Sequence, residues 1–344
     1  MKNKALTAIQ VAIIVVVIII AALGSVVAYL EFQKTSSVQS PVTVTDGLGR
    51  AVIVPANPNR IVSIAPSVTQ ILVGIGLGKQ LIGVDYWSYL LLQYLNETSA
   101  LPANVTIINS IYPPNVTGIV LLKPQIVVAD GGLEGEYLQQ FQSAGLNVLF
   151  LKGDLDYNFT QIENDVLLAG KAFNHLQQAE QLISWMNTML SKFNSTNRNI
   201  TIAYIGWINP DGSFYTAGGN VFINSIIQEA GGINVFQQLS GYPLVSPSQL
   251  IVKNPDIIIV VAMYNYTYTL QMLNSIPGIQ NTTAYKEGHI YILSDGLPEY
   301  LLQEPGPLAV YAVGMLDYII NGNAPHYINT TWVKNTLNVT LPIE

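Results

Sequence analysis

Short apolar runs alternate with longer amphipathic stretches along most of this chain. Four runs without a charged side chain are typical of strands covered on both faces: Ile61–Ala65, Leu81–Val84, Ile126–Ala129 and Val148–Leu151. The pattern restarts at Ile200–Ile205, and Lys253–Val260 repeats the element that begins at Lys123. The alternation predicts a largely parallel α/β structure, and the repeat predicts two similar lobes.

Between the two halves, apolar residues recur at three- and four-residue steps from Ile162 to Met189. No proline lies between Asn158 and Asn194, and Gly170 is the only glycine there. The spacing predicts one long amphipathic helix. This helix either joins the two lobes or lies on the surface of a single domain.

The most apolar segment is Val11–Leu30, interrupted by Gly24 and Ser25. Its length matches the roughly 20 residues that a helix needs to cross a bilayer. Lys2 and Lys4 precede it, and positive charge before a spanning helix stays inside the cell. We therefore expect an N-terminal transmembrane helix in the cell membrane, with the rest of the chain extracellular.

Composition narrows the possible functions. Only 10% of the residues are charged and the net charge is −7, so the basic clusters needed for a nucleic-acid partner are missing. The absence of cysteine excludes disulfides and thiolate metal sites. Only His175, His289 and His326 could supply imidazole ligands, and no nucleophile motif is found. We expect no enzyme, no resident cofactor and no free-metal site.

Five stretches resemble, in order and spacing, motifs of the cobalamin/iron-siderophore family of ABC-transporter substrate-binding proteins: Thr45–Arg50, Arg60–Leu72, Ile82–Val84, Val221–Phe236 and Gln303–Pro307. The likeness extends from about Thr43 to Asn321. It implies the class III periplasmic-binding-protein fold, an α/β fold with two Rossmann-like lobes joined by a single long bridging helix. The implied segments are a leader and membrane helix (1–34), a linker (35–41), the first lobe (42–157), the bridging helix (158–196) and the second lobe (197–344).

The residues before the apolar segment resemble the class III, pilin-like leader of archaeal surface proteins. The resemblance implies that a prepilin-type peptidase cuts between Ala5 and Leu6, with an uncut anchor as the alternative. Asn-x-Ser/Thr triplets beyond the apolar segment are candidate glycosylation sites of an extracellular domain: Asn96, Asn104, Asn115, Asn158, Asn194, Asn199, Asn265, Asn281, Asn329 and Asn338.

The family resemblance implies a receptor that captures a ligand between its lobes and delivers it to an ABC permease and its ATPase. Loops that follow the strands line such a cleft, and aromatic rings there suit a bulky ligand. The candidate ligand contacts are Tyr86, Trp87, Tyr112, Trp207, Phe214, Tyr215, Tyr242 and Tyr300. Tyr89, Tyr264 and Tyr266 lie in the same loops.

No arginine falls in a predicted cleft loop, although arginine is the preferred partner of anionic chelates. We therefore expect a weakly charged metal chelate, with cobalamin or another corrinoid first and a ferric hydroxamate siderophore second. A pilin-like structural or adhesin subunit is the alternative function, since the leader resembles one.

The resemblance also implies that one glutamate on each lobe pairs with arginines of the permease. On the first lobe, Glu134 or Glu136 could serve, unless both are acids that only stabilise the start of a helix. The corresponding position on the second lobe is Ser248. Either Glu229 or another acid takes the place of the second glutamate, or docking depends less on charge.

Overall fold

The computed structural model describes residues 40–193, 199–294 and 296–342, together with Ala22, Gly24 and Ser25, which are helical. The chain divides into two units, residues 1–41 and 42–344. Most of the predicted membrane segment and the cleavage site between Ala5 and Leu6 lie outside the described residues. Within the part that is described, no helix has both the length and the hydropathy to cross a membrane.

A hairpin opens the second unit, formed by β1 (Val42–Thr45) and β2 (Ala51–Val54). In its turn, the Asp46 carboxylate pairs with the Arg50 guanidinium at 2.6 Å and accepts a hydrogen bond from the backbone amide of Arg50. The guanidinium also lies 5.1 Å from the centre of the Phe150 ring, a cation–π contact. These contacts hold the hairpin against the first sheet.

The first sheet has five parallel strands in the order β5-β4-β3-β6-β7. The strands are β3 (Ile61–Ser63), β4 (Leu81–Asp85), β5 (Thr106–Ile108), β6 (Ile126–Asp130) and β7 (Val148–Leu151). The accompanying helices are α1 (Pro66–Gly74), α2 (Tyr86–Leu95), α3 (Val116–Leu121) and α4 (Leu138–Ser143). We call residues 42–157 the first lobe.

The connection between the two sheets consists of two helices, α5 (Phe159–Ala172) and α6 (Leu176–Lys192). They are separated at Asn174, whose φ is +58°, a left-handed conformation that cannot continue a right-handed helix. His175 Nδ1 lies 2.8 Å from the carbonyl oxygen of Ile75, which holds the turn against the end of α1. The prediction of a single long bridging helix is therefore wrong.

The second sheet also has five parallel strands, in the order β11-β8-β13-β14-β15. Its strands are β8 (Ile200–Ile205), β11 (Gly232–Asn234), β13 (Ile257–Val261), β14 (Ile290–Leu293) and β15 (Tyr327–Ile328). A small antiparallel sheet comprises β9 (Trp207–Ile208), β10 (Phe214–Tyr215) and β12 (Leu244–Val245). We call residues 199–342 the second lobe.

Helices accompany these strands throughout the described part of the second lobe. They are α7 (Phe222–Glu229), α8 (Pro247–Lys253), α9 (Tyr266–Asn274), α10 (Thr283–Glu287), α11 (Leu297–Gln303), α12 (Val310–Ile320) and, after β15, α13 (Thr330–Leu337). The predicted parallel α/β structure is confirmed in both lobes. Strands β7 and β8 coincide with the apolar runs that predicted them.

One continuous hydrophobic core extends through both lobes. It includes Ile61 of the first sheet, Met186 of α6, Ile259 of the second sheet and Leu316 of α12. The opposite face of each sheet has a core of its own. A large movement of one lobe against the other would expose apolar surface of this shared core to water. The shared core therefore limits how far the two lobes can move relative to each other.

Candidate ligand cleft

Each sheet has a point where the strand order reverses. In the first sheet this point lies between β3 and β6, and in the second sheet it lies between β8 and β13. Open α/β sheets bind ligands beyond the carboxyl ends of the strands at such a point. The loops after β3, β6, β8 and β13 are therefore the first place to look for a site.

A cavity of about 440 Å³ lies between the lobes. Pro66 and Leu133, which follow β3 and β6, line it from the first lobe, together with Trp87 and Tyr94 of α2. Tyr300 of α11 lines it from the second lobe. This volume is within the range of small-molecule sites, and the cavity adjoins the point of reversal in the first sheet.

The rings of Tyr94 and Tyr300, which both line the cavity, meet edge to face with centroids 6.0 Å apart. The phenol oxygen of Tyr300 is buried and has no hydrogen-bond partner among the described residues. Burial raises the pKa of Tyr300 above its usual value. A buried hydroxyl without a partner is costly, so this phenol is available to a ligand that offers a hydrogen bond.

Three carboxyl groups, those of Asp154, Glu299 and Glu304, also line the cavity, and no lysine, arginine or histidine is among its described lining residues. Burial raises the pKa of Glu304 well above its ordinary value, and the charges of Asp154 and Asp130 add to the effect. Burial likewise raises the pKa of Asp154. The described lining of the cavity is thus polar and acidic on one side.

Asp130, the last residue of β6, organises the loops at the floor of the cleft. Its carboxylate accepts hydrogen bonds from the backbone amides of Gly132 and Asp154, and from Ser67 Oγ at 3.0 Å. Gly153 has a φ of +54°, and a side chain there would collide with the Asp130 carboxylate. Burial, followed by the charge of Asp154, raises the pKa of Asp130.

A second buried acid, Asp85, positions the helix that carries Trp87. Asp85 caps α2 by accepting hydrogen bonds from the backbone amide and the hydroxyl of Ser88. The Ser88 hydroxyl lies 2.8 Å from that of Thr69, which lies 2.7 Å from that of Ser63. Burial raises the pKa of Asp85 to about 6. This chain of hydroxyls connects α2 to α1 and β3.

Sequence reasoning did not identify Asp130, Asp154 or Glu304 as cleft residues. A signal was present for Asp130, since an acid directly after a buried apolar strand lies at the ligand-binding edge of a parallel sheet. Asp154 and Glu304 lie in loops whose path depends on the tertiary fold. Despite this acidity, the described residues contain no group of three or more histidine, aspartate or glutamate side chains placed to hold a metal ion.

The predicted aromatic contacts divide into three groups. Trp87 and Tyr300 line the cavity. Five further side chains are exposed on the two lobes, and their contact with a ligand stays a prediction: Tyr86, Tyr112, Trp207, Tyr215 and Tyr242.

Phe214 belongs to neither group, because it is fully buried in the outer core of the second lobe. Its ring packs against Phe236 with centroids 6.1 Å apart. A ligand could reach Phe214 only by opening that core. The prediction of Phe214 as a ligand contact is therefore wrong, and the next residue, Tyr215, points outward as strand alternation requires.

The two candidate docking glutamates have opposite environments. Glu134 is fully buried, and its carboxylate accepts a hydrogen bond of 2.8 Å from the backbone amide of Asp130. Burial, followed by the charge of Asp130, raises the pKa of Glu134 to about 10. Glu134 therefore cannot pair with a permease, and its prediction as a docking residue is wrong. Glu136 is exposed, as is Ser248 on the second lobe.

Several of the candidate glycosylation asparagines have a structural role. The side-chain oxygens of Asn115, Asn158, Asn265 and Asn329 accept a backbone hydrogen bond at the start of a helix, which is a preferred use of asparagine. Asn194 lies outside the described residues. The remaining candidates, Asn96, Asn104, Asn199, Asn281 and Asn338, are exposed, and glycosylation stays a prediction for all of them.

Comparison with known proteins agrees with this architecture. A family model described as periplasmic binding protein matches residues 61–296. A cobalamin-binding protein of Halobacterium salinarum is 24% identical over 257 residues, which cover 73% of this chain and 67% of that protein.

Two solved structures share the fold. The periplasmic vitamin B12 binding protein of Vibrio cholerae aligns with a TM-score of 0.60 at 19% identity, covering 77% of this chain and 99% of that one. A protein of the ABC-type Fe3+-hydroxamate transport system of Saccharomonospora viridis aligns with a TM-score of 0.63 at 16% identity, covering 82% and 99%. Since the family model spans more than half of the sequence, this chain belongs to the periplasmic binding protein family.

Proposed function

We propose that this chain is the extracellular substrate-binding receptor of an ABC importer. It captures a bulky metal chelate between its lobes and delivers the chelate to a membrane permease and its ATPase. The observation that carries the proposal is the cavity lined from both lobes at the carboxyl edge of the first sheet. The named function of the Halobacterium salinarum relative supports a corrinoid as the first choice, with a ferric hydroxamate next.

The charges in the cavity support a neutral or cationic chelate. Asp154 and Glu299 would repel an anionic ligand, and the described lining offers it no basic partner. A haem with two propionates or a catecholate siderophore is therefore disfavoured. A corrinoid is larger than the cavity, so one part would enter while exposed rings such as Trp207 and Tyr242 cover the rest.

The proposal extends to the placement of the receptor. An N-terminal helix would anchor it in the cell membrane, after cutting of a pilin-like leader by a prepilin-type peptidase, and its extracellular surface would carry glycans. Glu136 is the remaining candidate for a charged contact with the permease on the first lobe. Ser248 is exposed at the corresponding position of the second lobe, so docking there would depend less on charge.

The test is a titration of the full chain in detergent with three chelates, followed by tryptophan fluorescence. The neutral corrinoid cyanocobalamin and a cationic ferric trihydroxamate are compared with haem. We expect saturable quenching by at least one of the first two and weaker binding of haem. At pH 7.5, Asp154→Asn should narrow the difference in affinity between haem and the other two chelates, because it removes a carboxylate from the cavity lining. Glu180→Gln, an exposed change on α6, should leave that difference unchanged. Failure of all three to bind would contradict the proposed function.

A further inference from the structure

Tyr264, in the loop between β13 and α9, has an unusual backbone conformation. Its φ is +63°, a region that bulky side chains avoid. Eight non-glycine residues of the described chain have a positive φ, and six of them are asparagine, which tolerates it. Tyr264 is the one aromatic residue among the eight. Nothing in the turn itself calls for a tyrosine.

The neighbours of Tyr264 enforce this conformation. The backbone amide of Asn265 donates to the carbonyl oxygen of Met263 at 2.7 Å, which closes a γ-turn with Tyr264 at its apex. The buried hydroxyl of Thr269 accepts from the amide of Met263 at 2.7 Å and donates to the carbonyl of Asn265 at 2.8 Å. Strain that the surrounding structure maintains in this way is characteristic of functional sites.

Burial of the Tyr264 ring does not offset the cost of this backbone conformation. Tyr264 is 77% exposed. Its ring meets Trp207 edge to face with centroids 6.0 Å apart, and meets Tyr268 at 5.4 Å. Trp207 is itself 42% exposed. The three rings form an open aromatic surface whose members fold against one another and not into the core.

This surface lies at the ligand-binding edge of the second sheet. Trp207 follows β8 and Tyr264 follows β13, the two adjacent strands between which the strand order reverses. On the other side of β13, strand β14 leads to Gly296, which lines the cavity. Ligands of open α/β sheets bind at such a reversal, so the strained tyrosine and the tryptophan flank it directly.

We infer that Tyr264 and Trp207 form an aromatic subsite of the cleft that packs against a flat ring face of the ligand. The inference rests on the proposed function and extends it, because a corrinoid presents a broad macrocycle and a flat aromatic base to such rings, whereas a compact ferric hydroxamate presents neither. Tyr264 acts here as a specificity-determining residue. Its strained backbone holds the ring out of the core.

The test compares Tyr264→Asn with wild type in the full chain. Asparagine suits the backbone but lacks the ring, so the dissociation constant for cyanocobalamin should rise about tenfold while the thermal unfolding midpoint is unchanged or higher. Tyr264→Phe should bind within about threefold of wild type. Tyr285→Asn is the matched control, because Tyr285 lies on α10 before β14, at the opposite edge of the sheet.

Three results would overturn the inference. Unchanged cyanocobalamin affinity in Tyr264→Asn would show that the ring does not touch the ligand. An unfolding midpoint lowered by several degrees in Tyr264→Asn would show a structural role for the ring. An equal loss of affinity in Tyr285→Asn would show that the effect is not local. Failure of wild type to bind any of the three chelates is a different outcome, since it contradicts the proposed function and removes the basis of the subsite.

Discussion

The backbone amide of Leu308 donates a hydrogen bond of 3.0 Å to the side-chain oxygen of Gln70. Gln70 belongs to α1 of the first lobe, and Leu308 follows the turn Glu304–Pro307 of the second. Both residues are buried. The bond therefore ties the turn that carries Glu304 of the cavity to the first lobe, and it links the relative position of the lobes to the geometry of the cleft.

Replacement of Gln70 by leucine should destabilise the protein. The Leu308 amide would lose its acceptor in a buried place, which costs about 1–3 kcal/mol. Urea unfolding followed by fluorescence measures the loss. Gln142→Leu, an exposed change on α4, should have little effect, and equal stability of the two variants would contradict the role of this bond.

Gly306 is held close to the same side chain, so Gly306→Ala should also be destabilising. A methyl group at Gly306 would lie 2.6 Å from Gln70 Oε1. The buried Gln70 amide can move away only by giving up its hydrogen bond with the Leu308 amide, which costs about 1–3 kcal/mol. At Gly135 the nearest atom would be Leu48 Cδ1 at 3.5 Å, an ordinary contact. Thermal unfolding should therefore show a lowered midpoint for Gly306→Ala and a nearly unchanged one for Gly135→Ala.

Glu134→Gln should make the protein more stable, by an amount that grows with pH. The pKa of Glu134 is raised to about 10 in the folded protein, against an ordinary value of 4.5 for an exposed glutamate. The folded state therefore keeps a proton that the unfolded chain releases. The stability from this group is complete below about pH 4.5 and is lost progressively as the pH rises toward 10.

A glutamine removes this dependence, so Glu134→Gln should match wild type near pH 4 and exceed its unfolding free energy by up to about 3 kcal/mol at pH 7. Unfolding free energies of both proteins, measured from about pH 4 to pH 7, test whether the variant becomes the more stable one as the pH rises. Glu136→Gln, the exposed neighbour, is the matched control and should follow the wild-type curve. A variant at Glu134 that loses stability at pH 7 would show that the carboxyl has a role that an amide cannot fill.

Tyr300→Phe should affect ligand affinity without lowering the stability of the fold. The Tyr300 hydroxyl is buried without a partner in the described chain, so its removal should leave the unfolding free energy unchanged or raise it by about 1 kcal/mol. If the ligand supplies the missing partner, the affinity for cyanocobalamin should fall about three- to tenfold. Isothermal titration measures the second effect, and unchanged affinity would exclude a hydrogen bond from this phenol to the ligand.

The strands and the lobe repeat could be predicted because their signal is local. The runs at Val148 and Ile200 contain only residues that suit a strand covered on both faces. The break between α5 and α6 could not be predicted in the same way. Asn174 tolerates both conformations, and the turn is held by a distant contact of His175 with Ile75.

The sequence predicted where in the fold the candidate site lies, but not all of the side chains that form it. Sequence order alone placed Trp87 and Tyr300 near the ligand-binding edge, because parallel strands bring their following loops together. Burial distinguished Tyr215 from Phe214, and Glu136 from Glu134, although each pair lies within two positions in the chain. Such differences in burial depend on which face of a strand or loop packs against the rest of the protein.

By itself, the sequence determined the class of fold, the family and the edge of the sheets where a ligand would bind, since periodicity, turn residues and motifs act over short distances. The tertiary structure alone decided which acids line the cavity, which aromatic rings are exposed, and that Tyr264 is held at φ +63° beside Trp207. The physical reason is that burial, electrostatic coupling and backbone strain arise from contacts between residues far apart in the chain.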